Sequence, residues 1–119
     1  MANRNLFVRT YLSEIIFANY TEMAKLKIQR EEHGKKGAFF IEKDGTWIAE
    51  MTYTREGTRT LVIEHTSIAK ALQGKGVGKA MVNAAVKFAE KNNLLIKPVC
   101  PFVKKILESS EEYEDILAR

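Results

Sequence analysis

The stretch that decides the fold is Leu72-Gln73-Gly74-Lys75-Gly76-Val77-Gly78-Lys79-Ala80, which holds three of the chain's seven glycines. It links a segment with the alternation of a β-strand to a segment with the periodicity of a helix. Glycines at a helix start let backbone N–H groups approach a ligand closely, and the helix N-terminus adds a partial positive charge. The stretch therefore predicts an anion site of the kind that holds phosphates.

Upstream of these glycines, three runs of residues read as strands. They are residues 38–42, 47–54 and 60–66, which are rich in aromatic and β-branched side chains. Asp44-Gly45 between the first two runs is the strongest short hairpin signal, and Gly57 lies in the next turn. Three strands joined by tight turns predict an antiparallel meander.

Downstream, the pattern changes to helix, strand and helix. The first helix, residues 77–92, carries an apolar face made of Val77, Met81, Ala85 and Phe88. Residues 94–99 form a short apolar strand, and a short helix follows over residues 102–107. A strand, a crossover helix and another strand favour parallel pairing of residues 60–66 with 94–99. We therefore predict one mixed α/β domain over residues 1–119.

The first thirty residues form an extension with its own pattern. Ser13 is a suitable cap for a helix running to about Lys27, with an apolar face at helical spacing. Residues 26–30 also alternate like a strand, so this end of the segment has two interpretations. An amphipathic segment of this kind would serve as an interface in a homodimer.

Composition limits the class of protein. The chain has 119 residues, of which 45% are hydrophobic, and this fits one globular domain. No apolar run approaches the roughly 20 residues of a membrane span, and no signal-peptide core follows the first residues, so we expect a cytoplasmic location and no membrane partner. Cys100 is the single cysteine, and His33 and His65 lack partners at zinc spacing, so we expect no metal.

The charge is concentrated in one segment. Positions 70 to 105 contain eight lysines and one glutamate, which gives this segment a net charge of +7. The lysines are Lys70, Lys75, Lys79, Lys87, Lys91, Lys97, Lys104 and Lys105, and the glutamate is Glu90. A phosphorylated cofactor, a nucleic acid and a solvated helix face would each explain this excess.

Three phosphate-loop templates compete for residues 72–80. A Walker loop ends in Gly-Lys-Ser/Thr, whereas Gly78-Lys79-Ala80 lacks the hydroxyl that binds magnesium. A Rossmann fingerprint is Gly-x-Gly-x-x-Gly and opens a βαβ unit, whereas this run of glycines follows a meander. The third template, Gln/Arg-x-x-Gly-x-Gly/Ala, is matched by Gln73, Gly76 and Gly78.

This third match resembles the acyl-CoA signature of the GCN5-related N-acetyltransferase family. Glu64-His65-Thr66, residues 97–102 and Glu112-Tyr113 also resemble the small YjdJ/NATD1-like branch of that family, over residues 39–117. The resemblance implies a mixed sheet in which two splayed parallel strands form the acyl-CoA cleft. It also implies transfer of an acetyl group from acetyl-CoA to a primary amine, carried by a small molecule or a protein.

The resemblance further implies which residues meet the cofactor. Backbone groups near Ser67 and Ile68 would bond the pantetheine arm. The pyrophosphate would lie on the glycine-rich loop, at Gln73, Gly74, Lys75, Gly76, Val77, Gly78 and Lys79.

Cys100, His65 and Glu64 are the candidates for chemistry. In the resembling branch a cysteine at the position of Cys100 lies near the acetyl thioester, where it would line the site or relay the acetyl group. A small buried apolar residue is its other interpretation. Histidine suits deprotonation of an amine near neutral pH, and strand alternation is expected to put Glu64 and His65 on opposite faces, so that at most one faces the cleft.

Phe102 departs from the family pattern. Many of these enzymes place a tyrosine after the last core strand as general acid, and Phe102 in that region has no proton to give. Cys100, Tyr113 or water would have to substitute. Two other functions stay open, a non-catalytic acyl-CoA-binding regulatory domain and a basic nucleic-acid-binding module, although the sequence carries no recognisable nucleic-acid motif.

Overall fold

The computed structural model describes residues 26–118. Its elements, in chain order, are β1 (Gln29–His33), β2 (Lys36–Lys43), β3 (Thr46–Glu56), β4 (Thr60–Ile68), α1 (Val77–Lys91), β5 (Leu95–Pro98) and α2 (Pro101–Glu108). Short 3-10 segments lie at Lys70–Leu72 and Glu111–Ile116. The helix predicted from position 13 to about 27 lies outside the described residues except at Leu26 and Lys27, which have no regular structure.

The five strands form one mixed sheet in the order β1-β2-β3-β4-β5. The first four strands pair antiparallel, and β5 lies parallel to β4. The predicted meander, the parallel last strand and the mixed α/β class are confirmed. β1 adds a fourth strand to the meander, and it lies slightly later than the strand interpretation of residues 26–30.

Apolar residues of β2, β3 and β4 share one face of the sheet with the helices. Met51, Leu61 and Ile63 are fully buried there against Met81 and Val82 of α1. α2 contributes Val103 and Leu107 to the same core. No helix among residues 26–118 is long and apolar enough to cross a membrane.

β4 and β5 separate after four paired residues. The last pair in register is Ile63 with Pro98, and the N–H groups of Val99 and Cys100 both donate to Ile63 O at 3.0 Å. β4 continues to Ile68, while the chain after β5 turns into α2. The two parallel strands therefore splay apart on the side where α1 begins.

A β-bulge in β4 lies at the point of separation. Thr52 pairs with His65, and the register shifts between Thr52 and Tyr53, which leaves Glu64 as the extra residue. His65 therefore shares the face of Thr52, away from buried Tyr53, and Glu64 Oε2 accepts a hydrogen bond from Thr54 Oγ1 on that same face at 2.9 Å. The expectation that Glu64 and His65 lie on opposite faces is wrong, because the bulge interrupts the alternation.

Candidate functional site

A cavity of about 540 Å³ opens beside the gap between β4 and β5. Three parts of the chain enclose it: the end of β4, the glycine-rich loop with the first turn of α1, and one side of α2. The lining residues are Thr66, Ile68, Leu72, Gln73, Gly74, Gly76, Val77, Gly78, Lys79, Phe102 and Ile106.

Two glycines give the loop its shape. Gly74 and Gly76 have φ angles of 79° and 81°, in the left-handed region that other residues adopt only with strain. Gly76 is also the N-cap of α1, and no side chain caps the helix there. The start of α1 is therefore surrounded by backbone groups of the loop, and no side chain caps it.

The backbone N–H groups of this loop have no acceptor within residues 26–118. The Gln73 N–H donates to Lys70 O at 3.2 Å, and the next N–H that is bonded belongs to Ala80, which donates to Gly76 O at 3.0 Å. The first turn of α1 contains no acidic residue. Six consecutive N–H groups, from Gly74 to Lys79, are thus open at the positive end of a helix, which is the arrangement that binds phosphate groups.

Gly78 lets three elements meet at the cavity. A Cβ at this position would overlap the ring of Phe102 and come within 3.0 Å of Ile68 Cδ1. α1 therefore packs directly against β4 and α2 only because position 78 has no side chain.

Gln73 fastens the loop to the sheet. Its Nε2 donates a hydrogen bond to Ile68 O at 3.0 Å, at the last residue of β4. This bond links the glycine-rich loop to the end of β4.

Cys100 lies at the other end of the gap, and it is not among the residues that line the cavity. It is 5% exposed, it is the N-cap of α2, and its Sγ is 3.5 Å from Thr66 Oγ1. Burial raises the pKa of the thiol, but hydrogen bonds from the Thr66 side chain and from backbone groups of Val103, Phe102 and Thr66 outweigh burial. The net result is a pKa below the ordinary value for cysteine, which favours the thiolate.

The predicted cofactor residues fall into two groups. Most of them line the cavity, namely Ile68, Gln73, Gly74, Gly76, Val77, Gly78 and Lys79. The side chains of Ser67 and Lys75 are exposed and lie outside the lining.

The candidates for acid–base chemistry lie outside the cavity lining. Glu64 and His65 are exposed on the opposite face of the sheet, beside the point where β4 and β5 part. Tyr113 is buried, and its hydroxyl donates to Asn83 Oδ1 of α1 at 3.2 Å, also outside the lining. Among residues 26–118, no group of three histidine, cysteine or carboxylate side chains is placed to hold a metal ion.

Four lining residues were not among the predicted cofactor residues: Thr66, Leu72, Phe102 and Ile106. Phe102 and Ile106 are one helical turn apart, beside the buried pair Val103 and Leu107. This second apolar stripe on a short helix is the sequence signal that could have identified Phe102 and Ile106 as lining residues. Thr66 gave no such signal, because the bulge that turns it toward the cavity is invisible in the sequence.

The fold and the loop define the class of protein. Residues 38–116 match the family model described as GCN5-related N-acetyl-transferase, and the chain belongs to this family.

Among individual proteins, the chain is similar to Protein NATD1. The identity is 28% over 83 residues for the Danio rerio protein, covering 68% of this chain and 76% of the relative. It is 25% over 84 residues for the Xenopus tropicalis protein, covering 70% of this chain and 77% of the relative.

Solved structures share the fold. The solution structure of a GCN5-like protein from Staphylococcus aureus has 33% identity and a TM-score of 0.60, with 76% of this chain and 88% of that chain covered. A ribosomal-protein-alanine N-acetyltransferase from Brucella melitensis biovar Abortus 2308 has 21% identity and a TM-score of 0.51, with 71% and 64% covered. The latter similarity concerns the fold alone.

Proposed function

We propose that this chain binds acetyl-CoA in the cavity and transfers the acetyl group to a primary amine. The observation that carries the proposal is the row of six open N–H groups, Gly74 to Lys79, at the N-terminus of α1. A pyrophosphate is the part of the cofactor that this row fits, because each N–H can donate to a phosphate oxygen. Lys79 beside the loop and the neighbouring lysines add positive charge.

The remaining parts of the cofactor fit the gap between the strands. The pantetheine arm would lie along the edge of β4 near Ser67 and Ile68, where β5 no longer pairs with it. The thioester would then reach the end of the gap formed by Thr66 and Cys100. The apolar lining residues Leu72, Phe102 and Ile106 would cover the arm and exclude water from it.

The chemistry is attack of a neutral amine on the thioester carbonyl. The acceptor must lose a proton before the attack, the C–N bond forms as the C–S bond breaks, and the CoA sulfur takes up a proton on leaving. His65 or Glu64 would accept the amine's proton on the outer face of the sheet; both are exposed there, beside the gap, which supports this role. Cys100 would lie near the thioester, or its thiolate would attack the thioester carbonyl and release CoA. In the second case the amine then takes the acetyl group from the Cys100 sulfur and restores the thiol.

The acceptor would approach from the face that carries Glu64 and His65. The helices cover the other face, and the cofactor would fill the cavity there. Acetyl-CoA and the acceptor amine would then lie on opposite sides of one sheet and meet at the gap between β4 and β5.

The first test measures acetyl-CoA binding by calorimetry in the wild type, in Gly76→Glu and in Gly57→Glu. Gly76 and Gly57 both have positive φ angles, and a Cβ at either position meets no atom within 4 Å. Both variants therefore put a glutamate at a left-handed position and add the same charge. Gly57 lies in the turn before β4, at the end of that strand remote from the cavity. We expect Gly76→Glu to abolish binding and Gly57→Glu to bind like the wild type.

Two results would count against this proposal. A folded wild type that does not bind acetyl-CoA would reject the cofactor, and equal loss in both glutamate variants would remove the evidence for the loop. Acetyl transfer is then measured with a panel of primary amines and lysine-containing peptides. Tight binding without transfer to any of them would support the regulatory-domain alternative instead.

A further inference from the structure

We propose that Thr66 is a positioning residue, whose hydroxyl holds the Cys100 sulfur next to the cavity that Thr66 itself lines. The proposal builds on the proposed function, because it concerns the end of the cavity where the thioester would lie. It assigns a task to a residue that the sequence did not single out for chemistry.

The bulge in β4 is what turns Thr66 toward the cavity. Ile63 is buried on the helix-covered face, and strict alternation from it would direct position 66 to the opposite face. The extra residue Glu64 shifts this alternation by one, and Thr66 accordingly pairs with buried Met51. Thr66 therefore lines the cavity, whereas strict alternation in β4 would put His65 opposite Met51 in its place.

The two side chains lie within hydrogen-bonding distance. Thr66 Oγ1 is 3.5 Å from Cys100 Sγ, a normal separation when sulfur takes part. A neutral thiol can donate to the hydroxyl, and after ionisation the same hydroxyl can donate to the thiolate. One contact thus serves both protonation states without moving either residue.

The surroundings of the sulfur explain why this hydroxyl matters. The thiol is buried, which opposes ionisation, and backbone groups of Phe102 and Val103 at the start of α2 favour it. The charged side chains of the packed elements are directed elsewhere. Glu64 and His65 of β4 lie on the other face of the sheet, Lys79 of α1 lies at the loop, and the lysines of β5 and α2 are exposed, namely Lys97, Lys104 and Lys105. Among the described residues, Thr66 is the one whose side chain lies within hydrogen-bonding distance of the sulfur.

The test uses the fact that Cys100 is the only cysteine in the sequence. The thiolate is titrated by its ultraviolet absorbance in the wild type, in Thr66→Val and in Thr66→Ser, with Cys100→Ser as the blank for tyrosine ionisation. Valine keeps the shape of threonine and removes the hydroxyl, whereas serine keeps the hydroxyl. The titration is done without ligand, so it does not depend on whether acetyl-CoA binds.

We expect Thr66→Val to raise the titration midpoint by about one pH unit, which means a roughly tenfold smaller thiolate fraction below the midpoint. Thr66→Ser should stay close to the wild type. An unchanged midpoint in Thr66→Val would overturn the proposal, and so would equal shifts in both variants, since they would indicate packing rather than the hydroxyl. If either variant is unstable, alkylation of Cys100 at several pH values on the folded fraction gives the same midpoint.

Discussion

Glu32 is the residue with the densest set of polar contacts in the described chain. Its Oε1 accepts hydrogen bonds from Tyr53 Oη at 2.8 Å, Arg55 Nε at 2.9 Å and Arg30 Nη1 at 3.1 Å. The Arg30 guanidinium in turn lies 4.2 Å from the centre of the Phe88 ring of α1. Burial raises the pKa of Glu32, but the bonds from Tyr53 and Arg55 and the two positive charges hold it below its ordinary value.

This lowered pKa predicts how stability depends on pH. Because the folded carboxyl has a lower pKa than the unfolded one, its stabilisation is present above about 4.5 and is lost as pH falls through the folded pKa. Glu32→Gln should therefore cost about 1–2 kcal/mol near neutral pH. Denaturant unfolding should show the difference between variant and wild type shrinking in acid. A difference that is constant down to strongly acidic pH would contradict this account.

The sequence predicted which residues line the cavity only where the signal is local. Gly74, Gly76 and Gly78 stand out because their spacing is itself the motif, and all three line the cavity. Thr66 and Phe102 join the lining through packing between distant segments, which no local pattern records. The tasks of Cys100, His65 and Glu64 stay predictions.

At the scale of elements, β2 and β3 meet unusually closely at Gly37. A Cβ on Gly37 would overlap the phenol of Tyr53 and lie 2.7 Å from Glu31 O of β1. Tyr53 is 1% exposed and cannot swing away, so the three strands keep this spacing only with glycine at position 37.

Gly37→Ala should therefore destabilise the fold by about 3 kcal/mol, the upper part of the range for overpacked sites. In a Tyr53→Ala background, the same substitution should cost clearly less, because the overlapping ring is gone. Denaturant unfolding of the two single variants and the double variant gives the coupling between the positions. If the two losses of unfolding free energy were additive, the ring of Tyr53 would not be the reason that position 37 requires glycine.

Element types were predictable, and the details of pairing were not. The periodicity of residues 77–92 and the turn at Asp44-Gly45 predicted α1 and the hairpin, and Asp44 and Gly45 do take positive φ angles of 53° and 80°. β1 had two interpretations, because a short edge strand has a weak pattern of its own. The bulge at Glu64 depends on the register in which β3 and β4 pair, and the sequence of β4 alone does not determine that register.

At the scale of the whole molecule, several lysines of the basic segment belong to the parts of the chain that enclose the cavity. Lys70 belongs to the 3-10 turn before the loop, Lys75 to the loop, Lys79 to α1 and Lys105 to α2. Exposed charges of this kind act on a phosphorylated ligand through solvent, so salt screens them.

Affinity for acetyl-CoA should therefore fall several-fold between low salt and about 0.5 M salt, where the screening length is well below 10 Å. Acetyl-pantetheine, which lacks the phosphates, should bind more weakly and show little salt dependence. Calorimetry with both ligands at several salt concentrations makes the comparison. Equal salt dependence for the two ligands would show that the lysines do not act on the phosphates.

The edge of β5 that faces away from β4 is partly covered by the chain after the last 3-10 segment. Beyond the 3-10 segment Glu111–Ile116, Leu117 forms a parallel bridge with Ile96, and the Ala118 N–H donates to Ile96 O at 2.8 Å. A bare strand edge is a template on which another chain can pair, and repeated pairing of that kind leads to fibrils. Leu117 and Ala118 cover the edge of β5 at Ile96, so another strand could pair there only after displacing them. Substituting proline for Ala118, which removes this N–H, would expose that side of the sheet to self-association.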